Sequence, residues 1–202
     1  YSKNEMGQTA VWTGTQMIVI SGRGVAGTYY NTGGIYDLGT DSWSETSTTN
    51  AIPTSGFSTA VWTGTKMLIW GGTSIGNAGG AFDPSTNSWS KITTTGAPIT
   101  NGYSIGAWTG NRMLVFSNGN PLTNGGGLYN PTTNTWSMIS STNAPPVRVL
   151  GVAATFNGRQ LLLWGGYNNT VQLNTGGIYD IATNSWSEMS TTNAPSLRDR
   201  MP

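Results

Sequence analysis

Gly80-Ala-Phe-Asp-Pro-Ser-Thr-Asn-Ser-Trp89 decides how this sequence is read, because edited copies of it return along the whole chain. Gly34-Ile-Tyr-Asp-Leu-Gly-Thr-Asp-Ser-Trp43 precedes it, and Gly127-Leu-Tyr-Asn-Pro-Thr-Thr-Asn-Thr-Trp136 and Gly177-Ile-Tyr-Asp-Ile-Ala-Thr-Asn-Ser-Trp186 follow. An aromatic at the third position, then Asp or Asn with Pro and Asn to reverse the chain, then Trp, reads as strand, tight turn, strand. The turn closes locally. Its aromatic rings, Tyr36, Phe82, Tyr129 and Tyr179 with Trp43, Trp89, Trp136 and Trp186, have to be buried by something else.

The turn tryptophans lie 46, 47 and 50 residues apart. A second marker, the glycine of Trp-Thr-Gly at Gly14, Gly64 and Gly110 and of Phe-Asn-Gly at Gly158, recurs after 50, 46 and 48 residues. Two independent markers therefore agree, and four repeats, near 1–52, 53–98, 99–145 and 146–195, fill the 202 residues, with 196–202 starting a further one.

Within a repeat, Thr9-Ala-Val-Trp-Thr13 reads as a first strand, Gly14-Thr15 as a hairpin turn and Gln16-Met-Ile-Val-Ile20 as a second strand. The later second strands, Lys66 to Trp70, Arg112 to Phe116 and Gln160 to Trp164, are apolar at successive positions. Such runs imply burial on both faces, as in a sheet sandwiched between two others. Each run meets a break at Ser21-Gly22, Gly71-Gly72, Asn118-Gly119 or Gly165-Gly166, where Gly and Asn suit a positive φ. A variable loop, a third strand, the turn and a fourth strand complete the unit. Four consecutive antiparallel strands, joined by short turns and unable to cover their own faces, stack best as blades around an axis. The expected fold is an all-β propeller of four-stranded antiparallel blades.

Composition bounds the chemistry. Only 8% of residues are charged, against roughly 25% in an average globular protein, and a Thr-, Trp- and Tyr-rich chain leans towards strand. Nine basic and eight acidic residues leave a net charge of +1 with no basic face, which argues against nucleic acid as a partner. The absence of Cys and His removes disulfides, thiolate chemistry, imidazole ligands and every Ser-His or Cys-His relay. Apolar runs fall far short of the ~20 residues that span a bilayer, so no membrane insertion is expected. The chain reads as a mature, soluble protein or a piece of one.

The Gly-Gly after an apolar strand, the Tyr-Asp-Pro-x-Thr-Asn-x-Trp turn and the Ala-Pro-x-x-Arg at Ala144 to Arg148 and Ala194 to Arg198 together resemble the kelch repeat over the full chain. The first and third repeats depart from the glycine pair, and Asn4, Thr54 and Thr100 stand where the other repeats have Arg. The resemblance implies a noncatalytic interaction module. Its copper-radical enzymatic branch depends on His and a Cys-crosslinked Tyr, neither of which is present. Sialidase-type propellers place Ser-x-Asp-x-Gly before the Trp, a pattern these turns lack. No catalytic residue, metal site or cofactor is expected.

The repeats differ in length almost wholly in the loop after the glycine pair, and alternation puts that loop on the same face as the connections between blades. The expected binding face is therefore the variable one, with Arg23, Tyr29, Tyr30, Tyr167, Asn168, Arg148 and Arg198 as candidates for contacting a protein or glycan. Arg148 and Arg198 have an alternative role, bonding backbone carbonyls left open at strand ends. Trp12, Trp62, Trp108 and the four turn tryptophans read as packing between blades, and Asp37, Asp83 and Asp180 as turn residues. Asn168-Asn-Thr170 fits an N-glycosylation acceptor. No spare strand is visible to seal a ring, so a longer chain or two copies sharing one ring is expected. Low charge and Thr/Asn/Ser-rich turns point to an extracellular or cell-surface setting. Two further readings are a structural subunit of an extracellular layer or filament and the scaffold segment of a larger secreted enzyme.

Overall fold

Sixteen short strands form four separate sheets, each made by one sequence repeat. The structure, a computed structural model, describes residues 7–24, 27–53, 55–73, 77–100, 104–117, 125–148, 152–168 and 170–196. Blade 1 contains β1 (Thr9–Trp12), β2 (Gln16–Arg23), β3 (Tyr29–Asp37) and β4 (Ser42–Glu45). Blade 2 contains β5 (Thr59–Trp62), β6 (Met67–Trp70), β7 (Gly79–Asp83) and β8 (Ser88–Lys91). Blade 3 contains β9 (Ile105–Trp108), β10 (Met113–Phe116), β11 (Gly126–Asn130) and β12 (Thr135–Met138), and blade 4 contains β13 (Val152–Phe156), β14 (Gln160–Gly165), β15 (Gly176–Asp180) and β16 (Ser185–Glu188). Every sheet is an antiparallel meander in sequence order, and the first strands β1, β5 and β9 neighbour one another. This is a β-propeller arrangement, with no helix among the described residues.

The successive apolar residues of the second strands are explained by burial on two sides. Met67 and Ile69 of β6 pack with Ile18, Ile20 and Ile35 of blade 1, together with Phe82 and Trp89. Leu68 and Trp70 point the other way, into a cluster with Met113, Val115 and Tyr129 of blade 3. Leu114 and Phe116 of β10 then meet Leu161, Leu163, Tyr179 and Trp186 of blade 4. Because side chains alternate along a strand, one continuous apolar run supplies two different seams.

Each seam is centred on the turn tryptophan. Phe82 and Trp89 sit 5.0 Å apart in blade 2, and the equivalent pairs in blades 3 and 4 sit at 5.2 Å and 5.1 Å. The indole also meets an aromatic of the preceding blade, Trp70 against Trp136 at 4.6 Å and Phe116 against Trp186 at 5.2 Å. Gly80 leaves room for this ring, since a Cβ there would come 3.0 Å from Cε3 of Trp89.

Hydrogen bonds lock the same seams. The backbone N–H of Ser47, just beyond β4, donates to Asn87 Oδ1 at 2.7 Å, while Trp89 Nε1–H donates to the Ser47 carbonyl at 2.8 Å. Thr93 repeats this with Asn134 (3.0 Å) and Trp136 (2.8 Å), and Ser140 with Asn184 (2.8 Å) and Trp186 (2.8 Å). Tyr129 and Tyr179 hydroxyls donate to the same Asn Oδ1 atoms at 2.9 Å and 2.7 Å, filling both acceptor sites. Asn87, Asn134 and Asn184 have φ of 47°, 51° and 49°, a left-handed conformation that Asn tolerates better than most residues. One residue thus turns the chain and holds the neighbouring blade.

The tryptophans of the first blade stand apart from the others. Trp43 is 58% exposed, whereas Trp89 and Trp186 are 7% and 5% exposed, because no described blade covers that face. Trp12 is likewise exposed, while Trp62 and Trp108 are half-buried. Trp89→Ala should lower unfolding free energy by about 3–5 kcal/mol, as measured by denaturant titration followed by far-ultraviolet circular dichroism.

Candidate functional site

The loops between second and third strands gather at the same end as the connections between blades. In the first repeat, that end is more ordered than its loop-like sequence implies. Pairing along β2 and β3 breaks at Ser21 and resumes with Gly22 opposite Tyr30 and Arg23 opposite Tyr29. Ser21 and Gly22 adopt φ of 61° and 124°, close to the 73° and 123° of Gly71 and Gly72. Ser21 accepts a left-handed backbone in a glycine position, and the resulting β-bulge redirects its side chain. Asn118 and Gly119 lie outside the described residues.

Blade 2 props this extended hairpin from beside. Gly22 N–H donates to the Ser55 carbonyl at 3.0 Å, and Tyr30 forms an antiparallel bridge with Ser55. The Tyr29 hydroxyl accepts from Thr73 Oγ1 at 3.0 Å, fixing its ring, and the Arg23 guanidinium lies 6.0 Å from that ring's centre. Such a cation over an aromatic face is held in place without surrendering its charge. Both described ion pairs, Lys66 with Asp83 and Arg159 with Asp180, lie elsewhere.

Between the bulge and the hairpin tip opens a polar cleft of about 280 Å³, lined by Gln8, Ser21, Gly22, Arg23, Gly24, Tyr30 and Thr32. The Ser21 side chain is buried, and among the described residues its hydroxyl has no hydrogen-bond partner. A buried polar atom without a partner costs about 1–3 kcal/mol, so the bulge holds this hydroxyl at some expense of stability. Arg23 and Tyr30 are exposed at the rim. Arg23 and Tyr30 thus both border one opening, with the Ser21 hydroxyl enclosed in its wall.

The other candidates occupy different places. Tyr167 bridges Gln172 across the corresponding loop of blade 4, and Asn168 Oδ1 accepts from the N–H groups of Thr170 (3.1 Å) and Val171 (2.8 Å). Both are half-buried parts of a turn, and neither lines the cleft. Arg148 is 1% exposed and faces inward. Its Nη1 donates to the carbonyls of Gly165 and Thr175, each at 2.8 Å, and its Nε to Pro146 at 3.1 Å. The guanidinium clamps the two ends of the blade 4 loop and is closed to a surface ligand, while burial pulls its pKa down. In blade 2, Ser58 Oγ takes the equivalent carbonyl, that of Gly71, at 2.8 Å. Arg198 lies outside the described residues.

A family model described as the KLHDC2/KLHL20/DRC7 Kelch-repeats domain matches residues 80–201, more than half of the chain. The chain is a kelch-repeat protein. No curated protein matches it. In this kelch domain, no cluster of three or more His, Cys, Asp or Glu side chains suited to a metal occurs among the described residues. No helix there is long and apolar enough to cross a membrane.

Of the residues singled out from the sequence, Arg23 and Tyr30 line this cleft, and Gln8, Ser21 and Thr32 line it beside them. The visible signal was Ser21 standing where the second and fourth repeats carry glycine, a substitution that needs a reason at positive φ. The Asn latch was missed, although Asn five residues after the aromatic and Ser or Thr four after the Trp recur together.

Two expectations follow for the kelch scaffold. Arg148→Ala leaves the Gly165 and Thr175 carbonyls without this donor and should destabilise the fold by about 3 kcal/mol, with Arg148→Lys failing to restore it in denaturant titration. Tyr179, enclosed by the seam and next to Asp180, has its pKa pushed up to about 12, chiefly by desolvation. The unfolded phenol ionises near 10, so the Tyr179 contribution is complete below that pH and is lost as pH rises towards about 12. Stability measured across this window should fall, and Tyr179→Phe should flatten the fall.

Proposed function

We propose that this kelch propeller is a noncatalytic protein-binding module that receives an acidic segment of its partner in the cleft of Ser21, Arg23 and Tyr30. The exposed Arg23 cation and Tyr30 ring on the lining of one polar cleft carry the reading. A carboxylate would pair with Arg23, and Tyr30 would supply the apolar and hydrogen-bonding contact typical of interface anchors. Kelch-repeat domains are generally interaction modules for proteins, which favours a protein over a glycan as occupant. The short, uniform turns at the other end of the blades serve the scaffold.

Selection of binders from a random displayed-peptide library tests the proposal. Asp- and Glu-rich peptides should emerge, their affinity should fall with added salt, and Arg23→Ala and Tyr30→Ala should each weaken binding by about tenfold. Lys66→Ala, at a turn of the opposite end, should leave affinity unchanged. Peptides that bind Arg23→Ala as tightly as the parent chain would overturn the reading.

A further inference from the structure

The hairpin turn between first and second strands is built alike in every blade, but one residue in it changes. Gly14, Gly64, Gly110 and Gly158 hold φ of 109°, 99°, 98° and 93°. In blades 1 to 3 the residue before the glycine is Thr. The Thr13, Thr63 and Thr109 hydroxyl oxygens accept the N–H groups of Gln16 (2.9 Å), Lys66 (2.9 Å) and Arg112 (3.1 Å). Blade 4 has Asn157 there. Its Oδ1 takes over the role, accepting from Gln160 N–H at 2.7 Å and Arg159 N–H at 3.0 Å. In the other turns the acceptor oxygen is borne by a saturated carbon, whereas in blade 4 it belongs to a carboxamide, whose Cγ is open to nucleophiles.

The nucleophile stands next in the chain and nothing shields it. Gly158 carries no side chain, and a Cβ built on it would meet nothing within 4 Å. Asn157 and Gly158 are both exposed, so water reaches them. The two N–H donors on Oδ1 draw electron density from Cγ and lie where negative charge grows as the carbonyl is attacked, the arrangement of an oxyanion hole. Asn157 Nδ2 donates to Gln160 Oε1 at 3.3 Å, a long bond that does little to hold a leaving amine. Pairing of Phe156 with Leu161, and a bond from Asn157 N–H to the Gln160 carbonyl at 3.2 Å, keep the turn closed around these groups.

We propose that Asn157 is a modification site at which the folded turn drives deamidation, with water as the co-substrate. The Gly158 nitrogen attacks Cγ and forms an N–Cγ bond. The Cγ–Nδ2 bond then breaks, and ammonia leaves with the proton that Gly158 loses. Water opens the cyclic imide at either carbonyl. Opening at Cγ gives aspartate, which keeps the acceptor oxygen and, as a carboxylate, binds the two N–H groups more strongly. Opening at the main-chain carbonyl gives isoaspartate, whose backbone runs through Cβ and Cγ and lengthens the turn between β13 and β14. Either product puts a new negative charge near Arg159, which already holds Asp180 at 2.8 Å. Asn101, Asn118 and Asn124 also precede glycine and lie outside the described residues.

Trypsin isolates the site, because cleavage after Arg148 and Arg159 releases residues 149–159, in which Asn157 is the one side-chain amide. The folded chain and a synthetic peptide of residues 149–159 are incubated side by side at mildly alkaline pH. Conversion is followed by mass spectrometry of that fragment, with electron-transfer fragmentation separating aspartyl from isoaspartyl forms. Asn157 should convert several-fold faster in the folded chain than in the free peptide, and faster as pH rises, since Gly158 must shed a proton. Thr63→Asn transplants the carboxamide to the turn of blade 2, before Gly64, and should bring conversion at position 63 in a chain that circular dichroism shows folded. A folded chain in which Asn157 only matches or lags the free peptide overturns the proposal. So does a folded Thr63→Asn chain that keeps its new amide while Asn157 reacts, because the turn geometry would then not be the cause.

Discussion

An indole buried against the sheet of a neighbour is the interaction on which the rest of the molecule depends. A four-stranded blade has two apolar faces and no residues of its own to cover either. The turn Trp fills the space between sheets, while its N–H reaches across to a carbonyl of the preceding blade. Burial supplies the driving force, and the hydrogen bond supplies the register. Neither is available to an isolated repeat, so a blade is stable through its neighbours.

The turn sequence serves both requirements. Its first Asp or Asn accepts backbone N–H groups two or three residues on, as Asp37 does from Gly39 and Thr40 and Asn130 from Thr132. Its last Asn takes the left-handed backbone and holds the Tyr hydroxyl and the neighbour's N–H together. Side-chain hydrogen bonds from Gln16, Ser85 and Arg159 respectively, with the turn's own N–H groups behind them, keep the Asp37, Asp83 and Asp180 carboxylates below their ordinary pKa. Because this end is committed to scaffolding, variation is left to the opposite end. There the bulged hairpin of Ser21, Tyr29 and Tyr30 in blade 1, the Ser58 hydroxyl in blade 2 and the Arg148 clamp in blade 4 show three different solutions to one loop.

Much of the architecture was legible from the chain because the repeat is a local code read four times. Strand order, the turn and the double-faced second strands follow from alternation and residue type at short range. The site was less legible. Arg148 and Arg23 look alike as exposed cations in a variable region, yet one is enclosed by Gly165 and Thr175 and the other lies open over Tyr29. Whether a guanidinium meets carbonyls or solvent depends on where a loop 17 residues or more away folds back, and no local pattern records that.

The sequence by itself determined the four repeats, their antiparallel meanders and the need for each to be covered by another, because hydrophobic alternation and turn chemistry act between near neighbours in the chain. Only the tertiary structure decided that Trp43 stands exposed while Trp89 and Trp186 do not, and that Ser21 is buried without a partner among the described residues. Identical motifs acquire different environments according to what lies beside them in space. That depends on contacts between residues some 40 positions apart, which the side-chain pattern of one repeat does not encode.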